Sequence, residues 1–305
     1  MRIAIITPEQ QAHSKHFCAY LGRRYELVRV IHPAPARLGI RAKLRRARRE
    51  VTRSGVGHSL YRAMAALPNP WAGWDWTSAI NEAEKRFFSG VAAAYDEVVA
   101  PVAARVEDVN ADATLRLVED AAADVVLCLG GPIYRAPLIK ACRTMINFHS
   151  GLSPLYNGAS SIMFAFANGH FRLCGGTLMT MSPTVDGGDI LAHYLPAIEA
   201  EDTPATLFMK TVRGAPEAAD SFLTHLQSMG TFARCPQPSP LFYYTSREWT
   251  VHYSRQVRRH LERRSAAKAA RPAELVKYYS SASDKEACAH VRKTIERLLG
   301  FEWER

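Results

Sequence analysis

Several common signatures are missing from this chain, and each absence removes a class of function. The 6 cysteines (Cys18, Cys128, Cys142, Cys174, Cys235, Cys288) form no C-x-x-C pair. They are expected as reduced, mostly buried thiols of a cytosolic protein rather than a disulfide or zinc framework. The 11 histidines show no H-x-x-x-H pair on a plausible helix, so no metal site is expected. No apolar run approaches the roughly 20 residues that cross a bilayer, so no membrane partner is expected. The start, Met1 to Pro8, has one short apolar run and no cleavage-site pattern, which reads as a cytoplasmic protein without a signal peptide. Thr7-Pro8-Glu9-Gln10-Gln11 follows the first strand where a dinucleotide enzyme carries G-x-G-x-x-G, and no Walker-type lysine replaces it. A dinucleotide dehydrogenase is therefore set aside.

What is present describes an α/β protein. With 305 residues, 48% hydrophobic and 22% charged, the chain is long enough for one large domain and an appendage. Arg2 to Thr7 reads as a buried strand, Gln10 to Leu21 as a helix and Glu26 to Ile31 as a strand. Asp112 to Ala122 is helical and leads to a strand over 124–129. A short helix over Ala136 to Arg143 follows, then a strand ending at His149. This alternation predicts an open, mostly parallel, Rossmann-like sheet, whose ligands bind beyond the carboxyl ends of its strands. Residues 1–230 read as that domain, with a helical basic insertion over 34–100, and 231–305 as a mainly helical C-terminal extension. Within the insertion, Arg37 to Arg53 is expected as a basic helix carrying Arg41, Lys43, Arg45, Arg46, Arg48 and Arg49. Ser59 to Leu67 and Ser78 to Tyr95 are two further expected helices, with Trp71, Trp74 and Trp76 between them. The basic block supplies much of the net charge of +10. It reads first as a solvated face and second as a grip on an acidic substrate group or RNA. Beyond Thr203 to Ser228, expected as one helix, Cys235-Pro236-Gln237-Pro238-Ser239-Pro240 is a linker or wrapping segment. A short strand near Phe242 to Ser246, a helix over Thr250 to Lys268 and another over Asp284 to Leu299 complete the chain.

The chemistry concentrates in Asn147-Phe148-His149 and in the later turn Asp186-Gly187-Gly188. Side chains two apart on a strand share a face, so Asn147 and His149 point together while Phe148 enters the core. An amide donor, an imidazole and a carboxylate on one spot suit attack of an amine on an acyl carbon. Between them stand Leu152-Ser153-Pro154-Leu155-Tyr156-Asn157-Gly158 and Gly175-Gly176-Thr177-Leu178. These four ordered blocks resemble the folate-dependent formyltransferase family, with its Asn-x-His, Leu-Pro-x-x-x-Gly, Gly-x-Thr and Asp-x-Gly motifs. The detailed likeness covers about residues 120–225.

The resemblance implies formyl transfer from N10-formyltetrahydrofolate to a primary amine. Asn147 would position the formyl oxygen, His149 would stabilise the oxyanion and relay a proton, and Asp186 would orient His149. Leu129, Gly130, Gly131, Ile133, Val185 and Gly187 would border the folate. Ser150, Tyr156, Asn157 and Met179 would lie near the acceptor. Met179, Asn157 and Ser153 depart from residues common in the family at those positions. With the helical tail and the insertion, they point toward a small amine, free, phosphorylated or nucleotide-linked, and away from methionyl-tRNA. Nucleic acid is accordingly disfavoured as a partner, and the amphipathic C-terminal helices suit a homodimer. Two alternatives stay open. One is a formyltetrahydrofolate hydrolase, whose relatives carry a regulatory domain ahead of the first strand. The other is a protein that keeps the fold, has lost catalysis and binds an acidic partner or RNA.

Overall fold

The structure is a computed structural model and describes residues 1–34, 48, 52 and 76–301. Its first half builds one wing of a sheet from β1 (Arg2–Ile6), α1 (Ala12–Gly22), β2 (Glu26–Pro33), α2 (Trp76–Phe87), α3 (Val91–Val99) and β3 (Ala103–Val106). α4 (Asp112–Ala121), β4 (Val125–Leu129), α5 (Ala136–Ala141) and β5 (Met145–His149) complete that wing. The second half adds β6 (Tyr156–Gly158), α6 (Ser161–Ala167), β7 (Gly176–Thr180), β8 (Ile190–Leu195), α7 (Pro204–Arg213) and α8 (Ala215–Met229). β9 (Phe242–Tyr244), α9 (Val251–Glu262), β10 (Glu274–Lys277) and α10 (Asp284–Leu299) follow. Eight strands form one sheet in the order β10-β8-β7-β5-β4-β1-β2-β3, while β6 and β9 pair separately. From β3 across to β5 every pairing is parallel, and β5-β7-β8-β10 is antiparallel.

Strand alternation divides the core between the two faces. Ile3 and Ile5 pack with Phe17, Leu21 and Phe222 on one side. Ala4 and Ile6 pack with Val118, Val126 and Leu138 on the other. β4 is Val-Val-Leu-Cys-Leu with every residue buried, the pattern of a central strand covered by helices on both faces. The chain runs outward from β1 to β2 and β3, then returns to β4 and β5 on β1's other side. The sheet order therefore reverses between β1 and β4, where an open α/β sheet forms its binding crevice.

Several expectations change here. The expected helix Ser78 to Tyr95 is two helices, α2 and α3, separated at Gly90, whose φ of 80° no continuing right-handed helix accepts. The pair forms the connection from β2 to β3, and Tyr95 and Val99 join the core beneath α1. This half of the expected insertion is part of the sheet's cover. Of the other half, the helix Arg37 to Arg53 (apart from Arg48 and Thr52), the helix Ser59 to Leu67, Trp71 and Trp74 lie outside the described residues. Thr203 to Ser228 is likewise two helices. They break at Gly214, where Pro216 opens α8 and a Cβ would stand 2.0 Å from the Tyr194 ring. The helix expected to reach Lys268 ends at Glu262, and Arg264, at φ 47°, turns the chain away.

The C-terminal extension does more than append helices. β10 adds an edge to the main sheet, with Val276 opposite His193. Arg271, largely buried, donates to the carbonyl oxygens of Pro196 at 3.2 Å, Arg172 at 2.7 Å and Cys174 at 2.6 Å. Burial lowers its pKa to about 10, so it remains charged at neutral pH. Ala287, Val291 and Ile295 of α10 share a core with Phe166 and Leu173. The expectation of six reduced thiols is also corrected. Cys235 and Cys288 form a disulfide with Cα atoms 4.8 Å apart, because the returning α10 sets its Cys288 against the wrapping segment. The remaining thiols, Cys18, Cys128, Cys142 and Cys174, are free.

Candidate active site

The carboxyl end of β5 delivers the expected alternation: Phe148 is buried, while Asn147 and His149 are partly exposed on the opposite face. In the antiparallel register Asn147 stands opposite Met179 and His149 opposite Thr177. Thr177, the threonine of the Gly-x-Thr block, clasps the loop that follows β5. Its hydroxyl donates to the Gly151 carbonyl at 2.7 Å and accepts from the Ser153 N–H at 2.9 Å. The next link of the clasp is His193. Buried without a carboxylate, this ring is pushed down to a pKa of about 4 and is neutral. Its Nε2 donates to the Ser153 carbonyl and its Nδ1 accepts from the Tyr278 hydroxyl, both at 2.8 Å.

Asp186 closes on His149 from the β7–β8 loop. Its Oδ1 lies 3.3 Å from His149 Nδ1, and its Oδ2 accepts from the Gly158 N–H at 2.8 Å. His149 Nε2 faces the Tyr156 carbonyl and the Ser161 hydroxyl, each at 3.4 Å. Oxygen atoms therefore stand at both ring nitrogens. Gly158 must be glycine: its φ is 91°, and a Cβ would stand 2.1 Å from the Tyr244 carbonyl oxygen. Asp186 itself takes a left-handed φ of 51°, a sparsely populated conformation for a residue with a side chain.

These groups open into a cavity of about 410 Å³ between the ends of β1, β4 and β5 and the 181–186 loop. Asn147, His149, Asp186, Ser150, Leu129, Gly130, Gly131, Ile133 and Val185, all named from the sequence, line it. Gly130 and Gly131 both have positive φ, and a Cβ on Gly131 would strike the Tyr134 hydroxyl. The turn itself thus requires at least one of these glycines. Ile133 and Val185 are 65% and 38% exposed, and they are among the few large apolar side chains exposed in the described residues. Two such residues lining one concave surface mark a ligand site more strongly than any single exposed leucine would.

Four expected residues lie elsewhere. Tyr156, Asn157 and Met179 are 0%, 2% and 1% exposed and do not reach the cavity wall. Tyr156 is stacked against Phe242, and its hydroxyl is engaged by His170 and Asn168. Asn157 donates to the Asp186 carbonyl at 2.9 Å. Met179 sits under the site near Gln237. Phe242 covers Tyr156, and Gln237 covers Asn157 and Met179, so these side chains support the site from beneath. Gly187 is the inner corner of the Asp186 turn, against Thr184, and does not line the cavity.

Sequence reasoning missed a second histidine–carboxylate pair on the same cavity. His13 lines it, and Glu84 accepts from His13 Nδ1 at 2.9 Å, from the Ala12 N–H at 2.8 Å and from the His13 N–H at 3.4 Å. Glu84 caps the first turn of α1, whose own N-cap, Gln11, makes no side-chain cap bond. The His13 bond is the main reason that the Glu84 pKa is lowered. No local motif announces a cap supplied from a helix this distant in sequence. A second cavity of about 590 Å³ adjoins the first, sharing Pro8, Gly131 and Pro132, and is lined by His32 and by the paired Glu9 and Arg105. Among the described residues no group of His, Cys, Asp and Glu is placed to hold a metal, and no helix is long and apolar enough to cross a membrane.

Residues 85–219, from the end of α2 to the first turn of α8, match the family model described as formyl transferase. This segment is similar to formyl transferases. A methionyl-tRNA formyltransferase from a Nitratiruptor species is 37% identical over 89 residues, which is 29% of this chain and 29% of that enzyme's length. A Mycobacterium tuberculosis protein assigned as a sugar N-formyltransferase superposes with a TM-score of 0.51 at 15% identity, covering 85% of this chain and 86% of that one. The sugar 3N-formyl transferase WlaRD, determined with dTDP and 5-N-formyl-THF, superposes with a TM-score of 0.50 at 11% identity, covering 85% and 78%. At these identities the superpositions establish a shared fold. All four sequence blocks, including both ends of the His149–Asp186 pair, fall inside the family match.

Proposed function

We propose that this chain transfers the formyl group of N10-formyltetrahydrofolate to the primary amine of a small biosynthetic substrate, with a nucleotide-linked amino sugar as the favoured class. One observation carries the reading: within the segment that matches the formyl transferase model, the His149–Asp186 pair and Asn147 share a cavity with the exposed Ile133 and Val185. The apolar rim suits a flat heterocycle, and the polar end suits the formyl group. WlaRD supports the ligand classes, since its structure was determined with both a formylated folate and dTDP. The catalytic unit of this reading is residues 1–230, braced by 231–305.

In this mechanism the acceptor amine, after losing a proton, attacks the formyl carbon. A C–N bond forms, and the carbonyl electron pair moves onto oxygen. Asn147 and the His149 ring stabilise that oxyanion by hydrogen bonding, and Asp186 fixes the ring through Nδ1. The attacking nitrogen gives up a second proton, the oxyanion collapses, the bond from carbon to N10 breaks, and N10 takes up that proton as tetrahydrofolate leaves. One proton is released overall for each acceptor ammonium formylated.

The test incubates the protein with N10-formyltetrahydrofolate and a panel of dTDP- and UDP-linked amino sugars, scored by mass spectrometry. The expected result is a formamide product matched one-to-one by tetrahydrofolate. Formate release that is independent of amine would replace this reading with hydrolysis.

A further inference from the structure

Asp186 would not hold its position on the strength of its own loop. Its φ of 51° lies in the left-handed region, and such conformations persist where the surroundings over-determine them. Its carbonyl oxygen receives two side-chain donors, Asn157 Nδ2 at 2.9 Å and Gln237 Nε2 at 2.8 Å. The same Gln237 amide reaches the Gly188 carbonyl at 2.5 Å, so one side chain spans both sides of the Asp-Gly-Gly turn. Gln237 Oε1 in turn accepts from Asn157 Nδ2 at 3.4 Å. Gln237 belongs to the proline-rich wrapping segment, outside the family match at 85–219.

That segment is fixed on both sides of Gln237. Two residues earlier, Cys235 exchanges backbone hydrogen bonds with Ile190 at 2.8 and 3.0 Å and is cross-linked to Cys288 of α10. Four residues later, the Leu241 N–H donates to the Pro154 carbonyl at 2.8 Å, and β9 begins its pairing with β6. Pro236 and Pro238 flank the glutamine and restrict the backbone between those anchors.

We propose that Gln237 is a positioning residue for Asp186, and that the strap at 235–241 is the part of the C-terminal extension that completes the active site. This rests on the proposed formyl transfer for its catalytic meaning, but not for its geometry. Through Asp186 the strap sets the orientation of the His149 ring, since the same residue supplies the carboxylate that faces Nδ1. The extension thereby belongs to the reaction even though none of its residues lines the cavity among the described residues.

The test replaces Gln237 by Met, which keeps its length, and by Glu, which keeps its shape but offers oxygen to two carbonyls. Hydrogen exchange is followed at the amides of residues 184–190, and 5-formyltetrahydrofolate binding by calorimetry. Both variants should exchange about tenfold faster across this turn, with the sheet amides of β1, β4 and β5 unchanged. Folate affinity should fall by roughly fivefold or more. Unchanged exchange at 184–190, or an equal rise throughout the sheet, would overturn the proposal. Exchange needs no folate. A wild-type protein that fails to bind the folate would therefore refute the formyl-transfer reading and leave the positioning result standing.

Discussion

Two histidine–carboxylate pairs face one cavity, and they are built for different ends. In His149–Asp186 the carboxylate sits on a left-handed turn held by hydrogen bonds from Gly158, Asn157 and Gln237, and the ring faces oxygen atoms through both nitrogens. In His13–Glu84 the carboxylate sits on an ordinary helix, and one oxygen takes two backbone N–H groups from α1 as well as the ring. The first pair concentrates local strain and support on a single orientation. The second uses its hydrogen bonds to close a helix end. Chemistry alone does not separate the two pairs, but the surroundings of the carboxylate do.

The largest expected difference is catalytic. Asn147→Ala or His149→Ala should fold normally and lose roughly 100-fold or more in turnover, the cost of an oxyanion donor at about 2.7–4 kcal/mol. Steady-state kinetics on the proposed reaction checks this, and a loss under about tenfold in both variants would remove the assignment. His193 offers a third case, a histidine with no carboxylate. Its folded pKa is about 4 against an ordinary value of 6.5. As pH falls below 6.5 the unfolded chain gains a proton that the folded chain refuses. Stability is therefore lost between those two values, with a slope approaching about 1.4 kcal/mol per pH unit from this one group. Denaturation midpoints at several pH values should fall less steeply in His193→Gln than in the wild type.

Glu84→Ala comes next and strikes the other pair. Stability should drop by about 1–2 kcal/mol as the first turn of α1 loses its acceptor, while turnover per folded molecule stays within a few-fold of the wild type. A catalytic collapse comparable to that of His149→Ala would erase the contrast between the pairs. The smallest effect is at the apolar rim. Val185→Ser should weaken 5-formyltetrahydrofolate by only a few-fold, about 1 kcal/mol of lost apolar burial, as read by calorimetry.

The sequence was most legible where a local period and a local motif coincided. β4 and β5 declared themselves by apolar runs, and the face shared by Asn147 and His149 followed from strand alternation. Thr177 was visible as part of a motif, though its task of clasping Gly151 and Ser153 was not. The buried positions of Tyr156, Asn157 and Met179 were not legible either, because a motif position does not say which way a side chain turns. Least legible were contacts between distant segments. Glu84 reaching α1, Gln237 reaching Asp186, Cys235 meeting Cys288 and β10 joining β8 all depend on how the chain returns on itself. The two long helices were read past Gly90 and Gly214 because their apolar period continues, although Gly90 takes a φ of 80° and Gly214 packs against the Tyr194 ring.

The central claim is that the cavity before Asn147, His149 and Asp186 is a folate donor site rimmed by Ile133 and Val185. Calorimetric titration of 5-formyltetrahydrofolate into the wild type and into the Ile133→Glu/Val185→Glu double variant tests it most directly. Saturable single-site binding to the wild type and none to the variant is the expected result. Absence of binding to the wild type, or equal binding to both proteins, would contradict it.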